Sequence, residues 1–387
     1  MTDAEFLGYR RADGSTGTRN NLLVLAIGLT IPTGRRIAAV IRGAVLVTLP
    51  YNAGSLLGDD RASWRRALLR LPRHPNVGAA LVIGDSPPLV ADIAAGLARS
   101  GRPFAALSLD ECGHDAVTLT ERGIRAAAKL AMGISGARRE AVPLSSLCLG
   151  LECGRSDPSS GLVSNPLLGR AADRIVDAGG CAIIGETVEW LGAEHLLERR
   201  AASRAVADAI RAAVRRREET AVAHGLDLTG NNPGPTNIAA GLSSIEEKSL
   251  GNIAKSGSRP IQGVLGYGEA AAEPGCWVMD APAYASESLT GFAVAGAQLM
   301  LFTTGVGNSF VSALSPTLKV SANPETCARI GEQLDLDASQ VFLGRESPES
   351  AADRLWRRTL EVASGAATWG EVLGEGDELV ARYGPSM

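Results

Sequence analysis

The sequence has only four histidines in 387 residues, and none of its six cysteines forms a CxxC pair. This speaks against a zinc finger or a His-rich metal site, since both need closely spaced donors. Long apolar runs are missing too. The longest, residues 22–32, is far shorter than the ~20 residues a helix needs to cross a bilayer. Residues 1–8 are polar and carry acids, unlike a secretory leader. A reducing cytoplasm with free cysteines is the expected setting. The formal net charge of −4 gives no electrostatic reason to expect nucleic acid or an anionic membrane as partner. The local basic runs Arg65-Arg66 and Arg215-Arg216-Arg217 read as solvated helix faces.

What remains is a glycine-rich globular chain with 45% hydrophobic and 21% charged residues. Its first part alternates apolar runs at 22–27, 44–49, 79–83 and 104–109 with helix-like stretches at 34–42, 62–71, 89–100 and 120–132. Such alternation predicts parallel strands joined by right-handed helical crossovers. After a Gly/Ala/Arg-rich stretch ending at Pro143, strands are expected at 146–151, 181–185, 263–265, 299–302 and 317–320. Helices are expected at 166–177, across 193–224 with one break, and at 351–362 and 369–381. The predicted fold class is α/β with two domains. An N-terminal parallel-sheet, Rossmann-like domain covers 1–140, and a larger C-terminal α/β domain covers 141–387.

Ligands of open parallel sheets bind beyond the carboxyl ends of the strands, where loops and helix N-termini converge. Reading each C-terminal-domain strand to its exit gives Glu152, Cys153, Ser156, Asp157 and Ser160; then Glu186, Thr187 and Glu189; then Thr303 and Thr304; then Ser321 and Asn323. Several of these, such as Asp157, Ser160, Asn165 and Thr187, would also serve as turn and helix caps. A second polar concentration lies within 229–257, where Asn231, Asn232, Asn237, Glu246, Glu247 and Lys248 combine amides, carboxylates and an ammonium. That set suits a polyol carboxylate, although an exposed loop with an N-cap would look similar. No GxGxxG follows the first strand, where Gly28-Leu29-Thr30-Ile31-Pro32 stands instead, so a nucleotide-dependent enzyme is the weaker reading.

Several ordered strings together resemble the galactarate/altronate dehydratase family, which includes the large subunit of sulfolactate sulfo-lyase. They are Gly8-Tyr9-Arg10-Arg11-Ala12-Asp13-Gly14 with Gly17-Thr18-Arg19-Asn20, then Glu152-Cys153-Gly154-Arg155-Ser156-Asp157 with Ser164-Asn165-Pro166, then Glu186-Thr187 with Glu189. Asn232-Pro233-Gly234-Pro235 with Asn237, the run from Gly241 to Gly251, and Phe302-Thr303-Thr304-Gly305 complete the series. The resemblance spans most of the chain.

It implies a metal-assisted lyase that removes water, or bisulfite, from a hexarate, hexonate or sulfolactate. A proton α to a carboxylate is weakly acidic, so the developing enediolate needs a cation or strong donors, a base and acid help for the leaving group. On the motif positions, Glu186, Asp157, Lys248 and Glu189 are the catalytic candidates. Arg19, Asn20, Ser156, Asn165, Asn232, Asn237, Glu246, Glu247, Thr303 and Thr304 are the substrate-binding candidates. Cys153, Glu186 and Glu189 are the metal candidates, for a divalent ion such as Fe²⁺ or Mn²⁺, or else Mg²⁺. The resemblance further implies a homo-oligomer and a separate small subunit supplying a domain that precedes the Gly8-Tyr9 motif in relatives.

The pattern breaks in the first domain. The family's Cys/His positions at strand exits read here Gly28-Leu29-Thr30, Tyr51-Asn52-Ala53-Gly54-Ser55 and Gly84-Asp85-Ser86-Pro87. The metal is then held by another set, exchanged or lost. Hence the rival expectation of a non-catalytic paralogue that binds a sugar acid or scaffolds a partner. The run Asp110-Glu111-Cys112-Gly113-His114-Asp115 offers oxygen donors, but reads better as a loop and helix cap.

Overall fold

The computed structural model describes residues 5–228 and 232–384, so Asn231 and its neighbours 229 and 230 lie outside the described residues. The first part runs β1 (Glu5–Arg10), β2 (Thr16–Gly17), β3 (Asn21–Ile27), α1 (Ile31–Val40), β4 (Ala44–Leu49), α2 (Gly58–Arg70), β5 (Val77–Gly84), α3 (Pro87–Ser100), β6 (Phe104–Ser108), α4 (Ala116–Ile134) and β7 (Glu140–Pro143). Strands β4-β3-β5-β6 form a parallel sheet, with Leu23 opposite Val45 and Ala80. All eight residues of β5 are buried, as expected of a strand covered on both faces. The antiparallel ribbon β2-β1-β7 is not visible in the apolar periodicity. It pairs Glu5 with Pro143 and Gly8 with Glu140, tying the start of the first part to its end.

The second part adds β8 (Cys148–Cys153), α5 (Asn165–Asp177), β9 (Cys181–Ile184), α6 (Glu194–Glu198), α7 (Arg204–Ala223), α8 (Pro235–Ala239), α9 (Ile245–Ala254), β10 (Ile261–Leu265), β11 (Gly275–Met279), α10 (Ala285–Ala295), β12 (Leu299–Thr303), β13 (Val311–Ser312), β14 (Thr317–Ser321), β15 (Leu336–Asp337) and β16 (Gly376–Asp377). Its seven-stranded sheet is parallel throughout, in the order β10-β11-β9-β8-β12-β14-β15. From β8 the chain first builds toward β9 and then returns to build from β12 on the other side. The carboxyl end of β8 therefore sits at the topological switch point, where such sheets bind ligands. One apolar cluster joins the two parts, with Leu23, Leu25 and Val82 of the first sheet packed in the same core as Phe292, Met300 and Val380.

Three further differences from the sequence expectation have a clear physical cause. The helix expected over 369–381 ends at Leu373, because Gly374 turns left-handed (φ 69°) and Gly376–Asp377 then pairs with Val311–Ser312. The apolar Val380 and Ala381 that extended the pattern pack in the core, where Trp64 Nε1 donates to the Ala381 carbonyl. Helix α10 is buried along its length, so it has no polar face to give it a readable period. The basic run on α7 is only partly solvated: Arg216 and Arg217 both pair with Asp280, and the Arg217 side chain is largely buried. The stretch around His114 is a loop and cap, with Asp115 accepting from Val117 and Thr118 at the start of α4.

Candidate active site

The exit of β8 carries Glu152 and Cys153, both buried. Beside it, the turn after β9 carries Glu186 and Glu189, also buried. Glu186 adopts a left-handed backbone (φ 65°, ψ 55°), a conformation costly for a side chain with a Cβ and concentrated at functional sites. Helix α9 completes the centre. Ser244 caps it by accepting from the Glu247 amide, and Lys248, Asn252 and Lys255 follow at spacings of four and three, which puts them on one helical face.

These groups interlock. Cys153 Sγ lies 3.6 and 3.7 Å from the two Glu186 oxygens and 3.8 Å from Glu189 Oε2. Asn252 Nδ2 donates to Glu186 Oε2 at 2.9 Å and to Glu189 Oε2 at 3.3 Å. Lys255, fully buried, pairs with Glu186 and donates to Cys153 Sγ at 3.1 Å. Lys248 Nζ sits 2.7 Å from Glu189 Oε1 and donates to Asn232 Oδ1. Behind them Ser288 Oγ donates to Glu152 Oε2 at 2.7 Å.

Burial, and then the charge on Glu186, push Glu152 well above the usual carboxylate range. Burial and Glu189 raise Glu186 as well, against the opposing pull of Lys255. Burial and Glu186 also hold the Cys153 thiol above its ordinary value. Burial works against both ammonium groups. The facing acids outweigh it: Glu189 keeps Lys248 raised, while Cys153 and Glu186 keep Lys255 raised. Two ammonium groups thus balance the carboxylates of Glu186 and Glu189 in a site shielded from water.

Ligand atoms of Cys153, Glu186 and Glu189 lie within 4.8 Å of one another, the one such donor group found among the described residues. One sulfur and two carboxylates suit a divalent transition ion better than Mg²⁺ or Ca²⁺, which prefer oxygen alone. Asn252 Oδ1, buried without a protein hydrogen-bond partner, adds an oxygen beside them. The donors therefore fit such an ion. They all lie on the second sheet and its helices, so none depends on the first-domain strand exits that lack Cys and His.

Lys248 opens the centre onto a cleft of about 240 Å³ lined also by Ser156, Asp157, Leu162, Leu242 and Glu247. Ser156 Oγ, on the cleft wall, lacks a protein partner although buried, which leaves hydrogen-bonding capacity there.

The other sequence candidates fall into two groups. Asn165 bridges the Gly251 carbonyl and Thr303, Thr304 accepts from the Gly307 amide, and Asn237 donates to the Ser156 carbonyl. These side chains brace the walls. Asp157 likewise accepts from Ser159, Ser160 and Asn323, so both its oxygens are engaged. Glu246 stays exposed on the first turn of α9, packed over Gly192.

Arg19 and Asn20 are not brought to the centre. Arg19 forms a two-point pair with Glu371 and donates to the carbonyls of Thr18, Val362 and Ala366. Asn20 bridges Arg11 and the Ile134 carbonyl. Thr18 contacts Gln298, whose side chain receives the amide of Cys148 at the start of β8. Cys148 lies five residues before Cys153 on β8, each step roughly 3.3 Å. The groups missed by the sequence reading are Glu152 in its role, Asn252 and Lys255. The i, i+4, i+7 spacing of Lys248, Asn252 and Lys255 was the available signal.

The fold and centre define an α/β protein with a buried acid–thiol–lysine cluster at a sheet switch point. Two family models match in tandem: D-galactarate dehydratase/altronate hydrolase, second domain, over residues 8–135, and D-galactarate/altronate dehydratase, C-terminal, over residues 144–386. The chain belongs to the D-galactarate/altronate dehydratase family. It is 34% identical over 382 residues to the (2R)-sulfolactate sulfo-lyase subunit beta of Chromohalobacter salexigens, covering 97% of each chain. It is 33% identical over 391 residues to altronate dehydratase of Escherichia coli, covering 95% of this chain and 76% of that one. The galactarate dehydratase (L-threo-forming) of Escherichia coli matches over 228 residues at 32% identity, 59% of this chain and 43% of that one.

Proposed function

We propose that the chain is a lyase that eliminates water, or bisulfite, from a small hydroxy acid of the hexarate, hexonate or sulfolactate kind. The observation that carries this reading is the pairing of Lys248 with Glu189 where the buried centre meets the cleft. Its ammonium stays charged and binds the substrate carboxylate, stabilising the negative charge that grows there as the α-proton leaves. Glu189 turns Oε2 toward Cys153 and Asn252 and Oε1 toward Lys248, and the Oε1 side receives the α-proton. Ser156 holds a substrate hydroxyl through its unused Oγ, and Asn232 steadies Lys248 by accepting from its ammonium. Asn252 and Lys255 fix the Glu186 carboxylate.

A divalent ion, Fe²⁺ or Mn²⁺ by the donor set, would be held by Cys153, Glu186 and Glu189. When bound it would supply Lewis-acid polarisation of the substrate oxygens. The similarity to a beta subunit over nearly the full length of both chains supports a separate small partner subunit. No described helix is long and apolar enough to cross a membrane, and a cytoplasmic setting agrees with the free thiols.

The test is 2-keto acid release from altronate, galactarate and sulfolactate by metal-supplied protein, with and without a small subunit. Turnover that Glu189→Gln abolishes, with the fold intact, supports the reading. Absence of turnover under all these conditions leaves the non-catalytic paralogue as the better account.

A further inference from the structure

Three of the six cysteines are buried, and two of the others stand side by side. Cys148 opens β8 and Cys181 opens β9, and the two are direct partners in the parallel register. Residues paired in this way point to the same face of a sheet. Leu149 and Ala182, one position further on, face the core on one side, so Cys148 and Cys181 face the other, as does Ile183. Cys276 does not share that face: it is paired with Ala182, and its thiol meets the Ser256 carbonyl. Cys153, an odd number of residues after Cys148, also points the opposite way.

The two sulfurs are in contact. The Cys148 thiol donates to Cys181, which lowers Cys181 and raises Cys148. Cys181 Sγ also lies 3.5 Å from the Glu273 carbonyl oxygen. Both residues are partly exposed, and neither takes part in the centre described above. Neighbouring strands lie ~4.8 Å apart, which falls within the Cα separation of a disulfide, about 4.4–6.8 Å. Closing the bond draws the two Cβ atoms toward each other against the sheet, and strained, accessible disulfides are the readily reduced kind.

We propose that Cys148 and Cys181 are a redox-active dithiol that closes reversibly to a disulfide across β8 and β9, with a peroxide or a small disulfide as oxidant. With a peroxide, the Cys181 sulfur attacks one oxygen and the O–O bond breaks. The first water leaves with the thiol proton, and Cys181 becomes a sulfenic acid. Cys148 Sγ then attacks that sulfur, the S–O bond breaks, and the Cys148 proton leaves with the hydroxyl as a second water. Two electrons pass from the thiols to the peroxide. With a small disulfide, Cys181 displaces one half as a thiol and Cys148 displaces the other. Cys153 stands five residues after Cys148, and Glu186 five after Cys181. Oxidation therefore fastens the amino ends of the two strands that present these donors at their far ends. The inference does not depend on the lyase reading.

Peptide mapping of the intact chain tests it, after hydrogen peroxide or oxidised glutathione and then alkylation in denaturant. The expected product is a linked peptide pair carrying Cys148 and Cys181, released by dithiothreitol, with Cys153 and Cys276 still alkylated. The link should form about tenfold or more faster in the folded protein than in urea, because the fold holds the sulfurs together. In Cys148→Ala, peroxide should leave Cys181 as a sulfenic acid that dimedone captures. Both thiols remaining open to alkylation after either oxidant overturns the proposal. So does a link that joins Cys181 to another cysteine or to a second chain, or one that forms equally fast in urea.

Discussion

Lys255 and Glu186 form an ion pair with no solvent-exposed side-chain surface at either end, and the same ammonium reaches Cys153 Sγ at 3.1 Å. A pair this deep contributes little net stability as a pair, yet removing one member strands the other charge in the interior. Lys255→Met should therefore destabilise the fold by about 3–5 kcal/mol, read from urea unfolding near neutral pH. A loss below about 1 kcal/mol would mean that the pair is more hydrated than its burial implies.

Gly169 on α5 faces the end of α9. A Cβ there would come within 2.3 Å of the Ala254 carbonyl oxygen and 3.1 Å of the Gly257 amide, and backbone cannot move aside as a side chain can. Gly169→Ala should cost about 1–3 kcal/mol and lower kcat by displacing Lys255. Gly133 on α4 has open space around it, and Gly133→Ala should stabilise by roughly 0.5–1 kcal/mol. Thermal melts of the two variants, with turnover of each, check the contrast.

Arg19 reads as a substrate clamp in the sequence but is a brace between the first part and the C-terminal helices. Arg19→Ala should lower stability by about 1.5–3 kcal/mol, the range for hydrogen bonds to a charged group. The folded fraction should keep its KM. A raised KM at unchanged stability would return Arg19 to the binding site.

Glu378 gives a pH signature away from the active centre. Burial pushes its carboxyl from the usual 4.5 up to about 7, while Ser312 and the Leu314 amide donate to it. The native state thus keeps a proton that the unfolded chain releases at lower pH. The stability associated with this group is full below the unfolded value, falls as pH rises from 4.5 to about 7, and levels off above that. Glu378→Gln mimics the protonated form. It should gain on the parent by roughly 1–3 kcal/mol at about pH 8 and by little at about pH 4, in paired denaturant titrations.

The parallel sheets were legible because buried strands such as β3, β5 and β12 are short apolar runs bounded by turn residues. Glu186, Glu189 and Cys153 were legible for a related reason: the fold rule says where a strand exit will lie. Lys255 was not, because a lysine on a polar stretch reads as solvated, and only the docking of α9 against the turn after β9 makes it an interior group. Arg19 and Asn20 lie away from the centre, where their string ties carbonyl groups of separate segments together at the amino ends of the strands.

Helix α9 carries Lys248 at the cleft, and its C-cap residue Lys255 lies in the interior, two turns apart on one rigid rod. Substrate grip and the electrostatic setting of the centre are thereby one inherited unit. A shift of the helix that retunes the first retunes the second. Diversification toward new acids is then channelled away from the rod, to cleft residues such as Leu162 and Leu242 that can change without moving it.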